Sequence, residues 1–174
     1  TVLKEAGVVV MGDIGCYTLG TNLRAVDTCV DMGASVTMAA GFYHANRLAG
    51  DKRPIIATIG DSTFIHSGIV PLVNAVHTNA RFILLILDNH TTAMTGAQPT
   101  AASDYTADGD IATRVPIPDL VKACGVKYVR VADPYDQEPF ETLLKEAQAF
   151  TQSPDGGVAV IIADRPCVLY DDTP

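Results

Sequence analysis

Pro54-Ile55-Ile56-Ala57-Thr58-Ile59-Gly60-Asp61-Ser62-Thr63 is an unbroken apolar run that stops at a glycine, a carboxylate and two hydroxyls. A run of strand length with no polar alternation predicts a strand covered on both faces, as in a parallel sheet. The same form recurs along the chain: residues 8–11 before Gly12-Asp13, 82–87 before Asp88-Asn89, 126–131 before Asp133-Pro134, and 158–163 before Asp164. Five parallel strands are therefore expected, ending at Gly12, Gly60, Asp88, Val131 and Ala163.

Helical patterns fill the gaps between these runs. Ser35 is placed to cap a helix to about Leu48, with Gly50-Asp51 as its exit. Pro71 fits the first turn of a helix through Val76, with Leu72, Val73 and Val76 on one face. Pro118 opens a short helix that Gly125 closes. Pro139 opens another over 140–150, with Leu143, Leu144, Ala147 and Phe150 as its buried stripe. Alternation of this kind predicts an α/β fold, a three-layer doubly wound sandwich on a mainly parallel sheet. Two long irregular stretches, 15–33 and 89–115, each follow a strand's carboxyl end, which is where open α/β sheets bind ligands.

Composition narrows the function. The 174 residues are 48% hydrophobic and 18% charged, which fits one compact domain over 1–174. A formal charge of −8 without any basic cluster argues against nucleic acid. The longest apolar runs are too short to span a bilayer, so no membrane partner is expected. Cys16, Cys29, Cys124 and Cys167 contain no C-x-x-C pair, which argues against a zinc or iron–sulfur site built by this chain alone. With no secretory signal at the start of the sequence, they read as reduced, buried packing thiols of a cytoplasmic protein.

The chemistry concentrates at two strand ends. Asp61, in Gly60-Asp61-Ser62-Thr63, can place a carboxylate on Mg²⁺ while neighbouring N–H groups face phosphate oxygens. Asn89, in Asp88-Asn89-His90-Thr91, follows about thirty residues later at the end of the next predicted strand. Were those strands neighbours, a carboxylate and an amide oxygen would stand side by side, two hard ligands suited to Mg²⁺. Taken alone, Gly-Asp-Ser is an ordinary turn, and a module binding some other phosphorylated ligand remains an alternative. His66 reads equally as a ligand contact or a structural histidine, and Asp13 as a ligand or a plain strand end. His44, His77 and His90 are expected on helix or loop surfaces, and Asp108-Gly109-Asp110 as a turn.

The span from Gly60 to Asn89 resembles the thiamine-diphosphate motif, which opens with Gly-Asp-Gly and closes on Asn; Ser62 stands where the second glycine is usual. With Gly12-Asp13-Ile14-Gly15-Cys16-Tyr17-Thr18-Leu19-Gly20, Asp31-Met32-Gly33-Ala34-Ser35 and the loop from Asn89 to Pro99, the whole chain resembles the indolepyruvate ferredoxin oxidoreductases of the 2-oxoacid:ferredoxin oxidoreductase superfamily. The resemblance implies the thiamine-diphosphate-binding fold and a diphosphate-holding domain cut from a larger multidomain chain. It places Mg²⁺ on Asp61, Asn89 and the carbonyl of Thr91. It sets Gly60, Ser62, Thr63, Ala93 and Met94 against the diphosphate, and Ile14, Gly15, Cys16 and Tyr17 in the loop that meets the cofactor. Met32 falls where relatives often carry His.

The implied enzyme oxidatively decarboxylates arylpyruvates such as indolepyruvate. Its electrons pass through iron–sulfur clusters, which this chain does not bind, to ferredoxin, and the acyl group goes to coenzyme A. The implied partners are a pyrimidine-binding domain of the same enzyme and a second subunit. No catalytic residue is assigned to this chain, because the glutamate that activates the pyrimidine belongs to the other domain. A non-oxidative thiamine-diphosphate decarboxylase or synthase is the neighbouring alternative.

Overall fold

The computed structural model describes residues 7–169; the helix tail expected at residues 1–4 lies outside them. Among the described residues six strands form one sheet: β1 (Val9–Gly12), β2 (Thr28–Cys29), β3 (Ile55–Gly60), β4 (Ile83–Asp88), β5 (Tyr128–Ala132) and β6 (Ala159–Asp164). Their order is β2-β1-β3-β4-β6-β5, and every pair is parallel. The five strands expected from the sequence all form, each ending within one residue of the expected place. The two-residue β2, paired through Met11↔Thr28 and Gly12↔Cys29, is additional; it is too short to leave a periodic signal.

Side chains alternate between two cores, as a strand's period of two requires. Ile55, Ala57, Ile59, Leu84, Ile86, Val160 and Ile162 face α1 (Ala34–Ala49), α2 (Ile69–His77) and α3 (Ile117–Ala123), which contribute Val36, Ala39, Leu72, Ala75, Ile117 and Val121. Val10, Ile56, Ile83, Ala159 and Ile161 face α4 (Gln137–Gln152) through Ala147, with Phe140, Leu143, Leu144 and Phe150 packed around it. These are the three layers of a doubly wound sandwich. The central strands lie under helices on both sides, so their runs carry no polar alternation.

Helix boundaries depart from expectation in two places. Gly33, in the left-handed region at φ 92°, is the N-cap of α1, and Ser35 lies inside the first turn. Helical backbone also begins at Asp61, ten residues before Pro71: a turn over Asp61–Thr63 runs into a π-helical turn, Phe64–Gly68, and then into α2. Pro71 lacks the N–H that a regular helix would bond to Ser67, and the widened turn lies just ahead of it. Within α2 the buried positions are Leu72 and Ala75, whereas Val73 is 48% exposed. No helix among the described residues is long and apolar enough to cross a membrane.

Candidate functional site

All thirteen residues singled out for cofactor or metal line one cavity. Ile14, Gly15, Cys16, Tyr17 and Met32 come from the stretch after β1. Gly60, Asp61, Ser62 and Thr63 come from the end of β3, and Asn89, Thr91, Ala93 and Met94 from the loop after β4. Because β3 and β4 are neighbours with Gly60 opposite Leu87, the two motifs leave the sheet at the same edge and level. Leu87, Thr92 and Thr95 complete the lining and were not anticipated. They lie within two residues of Asn89 or Met94 in the chain, so a motif read residue by residue passes over them.

Asp61 is 3% exposed, and its Oδ2 has no hydrogen-bond partner. Burial raises its pKa to about 7, against the N–H groups of Ser62 and of Asp61 itself, which pull the other way. A buried carboxylate oxygen left without a donor costs free energy unless a cation supplies the missing charge. Ser62 is accommodated in place of glycine because it lies in the helical turn and is not among the positive-φ residues. The turn's first N–H groups lack intrahelical partners, an arrangement that suits an anion.

The stretch after β1 is pinned by Asp13, which is fully buried. Gly33 N–H donates to its Oδ1 at 2.6 Å and the Tyr17 hydroxyl donates to its Oδ2 at 3.2 Å. Burial raises the pKa of Asp13, and these donors counter the rise. Asp13 is thus a structural anchor and does not line the cavity. Burial likewise pushes the Tyr17 phenol upward, so it stays protonated and able to donate.

The loop after β4 closes on itself. Thr92 N–H donates to the Gln98 carbonyl at 3.0 Å and Ala97 N–H to the Thr92 carbonyl at 3.0 Å. Gly96 and Ala97 both adopt positive φ there. The His90 ring lies in a loop, partly exposed, and meets the Asp164 carboxylate at 2.5 Å. His44 is half-buried against Thr78, and His66 and His77 are exposed, with His66 outside the cavity lining. Asp108-Gly109-Asp110 forms the expected turn. The thiols depart from the packing expectation: Cys16 is exposed and the other three are half-buried, although Cys124 packs against the larger core.

The cavity measures about 120 Å³. Sites that enclose a drug-sized ligand run to roughly 300–1,000 Å³, so this one takes only part of such a molecule. A larger cavity, about 720 Å³, lies around Asn46, Pro54 and Arg81. It opens beside the amino end of β3, opposite to where α/β sheets bind ligands. Two of its cations are already engaged: Arg81 donates to the carbonyls of Thr151, Ser153 and Pro154, and Arg53 pairs with Asp51.

Fold and cavity together define a doubly wound α/β domain with a partial ligand site at the carboxyl ends of its strands. The family described as thiamine pyrophosphate enzyme, C-terminal TPP binding domain, matches residues 13–163, and the chain belongs to it. Indolepyruvate oxidoreductase subunit IorA of Archaeoglobus fulgidus is 45% identical over 171 residues, covering 97% of this chain and 26% of that protein. The subunit of the same name from Thermococcus kodakarensis is 39% identical over 183 residues, covering 97% and 27%. The chain thus spans about a quarter of the length of the curated relatives it matches.

Among solved structures, 2-oxoglutarate:ferredoxin oxidoreductase from Magnetococcus marinus, with 2-oxoglutarate, coenzyme A and succinyl-CoA bound, superposes with a TM-score of 0.80 at 16% identity. It covers 96% of this chain and 57% of that one. Benzoylformate decarboxylase from Polynucleobacter necessarius gives 0.66 at 16% identity, covering 95% and 32%. At such identities the likeness is one of fold.

Proposed function

We propose that this chain holds the diphosphate of thiamine diphosphate through Mg²⁺, as the diphosphate-binding part of an oxidoreductase that decarboxylates arylpyruvates such as indolepyruvate. The observation that carries the reading is Asp61, a buried carboxylate with an unpartnered oxygen, which shares a cavity with Asn89 from the adjacent strand end. Asp61, Asn89 and the Thr91 carbonyl would hold the metal, a set of hard oxygen donors suited to Mg²⁺. Gly60, Ser62 and Thr63 at the end of β3 and start of the helix, and Ala93 and Met94 in the loop after β4, would face the phosphates, chiefly through backbone groups. Ile14, Gly15, Cys16, Tyr17 and Met32 would form the wall toward the reactive end of the cofactor.

The bound cofactor supplies carbanion stabilisation; the protein supplies position and charge neutralisation. The small cavity leaves the far end of the cofactor to a pyrimidine-binding domain elsewhere in the enzyme. Ferredoxin as acceptor and coenzyme A as acyl acceptor extend the reading, in keeping with the name of the structural neighbour; iron–sulfur clusters beyond this chain complete it. A cytoplasmic setting accompanies it.

Three experiments test the proposal. Calorimetry should show thiamine diphosphate binding that requires Mg²⁺; equal binding of unrelated nucleotides would favour a generic phosphate module. In the complete assembly, indolepyruvate should drive reduction of an electron-accepting dye, dependent on coenzyme A. Decarboxylation without dye reduction would instead identify a non-oxidative decarboxylase. The isolated chain should release no CO₂ from indolepyruvate above cofactor alone, because the positional advantage of a complete site is missing.

A further inference from the structure

His90 sits between Asn89 and Thr91, and its backbone is left-handed at φ 64°, a region non-glycine residues rarely occupy. Local contacts hold it there. Its N–H donates to Asp88 Oδ1 at 3.2 Å, its carbonyl accepts from Ser103 Oγ at 3.2 Å, and its ring Nε2 meets Asp164 Oδ1 at 2.5 Å. Asp164 ends β6 directly opposite Asp88 at the end of β4. The chain that follows it straps the same loop: Arg165 N–H donates to the Asp88 carbonyl at 3.0 Å, and Cys167 N–H to the Asn89 carbonyl at 3.2 Å.

We propose that His90 and Asp164 act as a positioning pair that sets the loop after β4, so that Asn89 and Thr91 converge on one metal ion. This rests on the reading of those two residues as ligands. The irregular stretch from Asn89 runs to Val115, and without an anchor its first turn has many alternatives of similar energy. The ring contact ties the middle of the Asn-His-Thr turn to a rigid strand end. Both partners are about a third exposed, so their attraction is screened and adds little to global stability. Its effect falls on where the ligands point. The oxygens of Asp88 and Asp164 and the His90 nitrogen also lie within 4.8 Å of one another. Arg114 Nη2 lies 3.8 Å from Asp88 Oδ2 and the His90 ring nitrogen is already bonded to Asp164, and we read the group as a clamp rather than as a second ion site.

The test uses the complete native assembly with His90→Asn, Asp164→Asn and the double variant. Asparagine tolerates the left-handed backbone but is too short to reach Asp164, and Asp164→Asn keeps an acceptor while removing the charge. The readouts are half-saturating Mg²⁺ at fixed thiamine diphosphate, by calorimetry, and the thermal midpoint of the metal-free protein. His90→Asn should raise the Mg²⁺ requirement about 10- to 100-fold, the range found when groups behind a metal ligand are removed. Asp164→Asn should raise it less, the double variant no more than His90→Asn, and the metal-free midpoint should barely move.

An unchanged Mg²⁺ requirement in both single variants, with only the midpoint lowered, would overturn the proposal. So would fully additive effects in the double variant. Asp61→Asn, run in parallel, separates the failures. If it abolishes the Mg²⁺ dependence while the His90 variant leaves it intact, only the clamp is wrong; if it too changes nothing, the metal site itself is misplaced.

Discussion

The hydroxyl of Tyr17 accepts a hydrogen bond from Gly60 N–H at 3.0 Å, joining the loop after β1 to the last residue of β3 across 43 residues of sequence. The same hydroxyl donates to the buried Asp13 carboxylate. One phenol thus fixes two walls of the cavity relative to each other.

Tyr17→Phe should therefore cost more than an exposed hydroxyl would. It strips the Gly60 N–H of its acceptor and Asp13 of a donor, and leaving such groups unsatisfied costs roughly 1–3 kcal/mol. Denaturant unfolding of the metal-free protein measures the loss. Losing the donor also raises the Asp13 pKa further, so the deficit should be larger at neutral pH than near pH 4.

Asp61 makes metal-free stability depend on pH. Its folded pKa of about 7 lies above the ordinary 3.8, so the folded state binds the proton more tightly. Stability from this group is fully present at the acid end and is lost as pH rises toward about 7. Asp61→Asn should flatten that slope: a higher thermal midpoint than the parent at pH 8 and a similar one at pH 4. Some slope should remain, because burial raises the Asp88 pKa in the same direction. Adding Mg²⁺ with thiamine diphosphate should reverse the order at pH 8, stabilising the parent and leaving the variant unmoved.

The two proposed side-chain ligands should differ in weight. Asp61→Ala should nearly abolish Mg²⁺-dependent cofactor binding in the assembled enzyme with the fold intact, since it deletes the anionic ligand. Asn89→Ala should cost at least 1.4 kcal/mol less, about tenfold in affinity, because water can replace a neutral oxygen donor. Titration calorimetry on both variants compares them directly.

Gly33→Ala tests the cap of α1. A methyl group there would lie 2.4 Å from Ser67 Oγ, on a backbone at φ 92°. Strain and crowding together should destabilise the protein by about 1–3 kcal/mol, read from thermal or denaturant unfolding. Ser67→Gly in the same background should recover the crowding part and leave the backbone part.

Beyond Asp61 and Asn89, the residues proposed to hold cofactor or metal were read from a family resemblance. The sequence by itself determined the α/β class, five of the six strands and the carboxyl-end placement of the candidate site. Those features are local. Apolar runs record burial on both faces, and Gly-Asp or Asp-Asn endings record where a strand must stop. Tertiary structure alone decided the rest. Thr28–Cys29 becomes a strand only because Met11 and Gly12 lie beside it. Helical backbone starts at Asp61 rather than Pro71 through a π turn whose wider spacing has no sequence period. Asp13 turns from a strand end into an anchor once Gly33 and Tyr17 reach it, and the His90 ring meets Asp164, 74 residues away. The β1–β2 pairing, the Gly33 contact with Asp13 and the His90–Asp164 contact depend on which elements are neighbours in space, and no short window along the chain contains both partners.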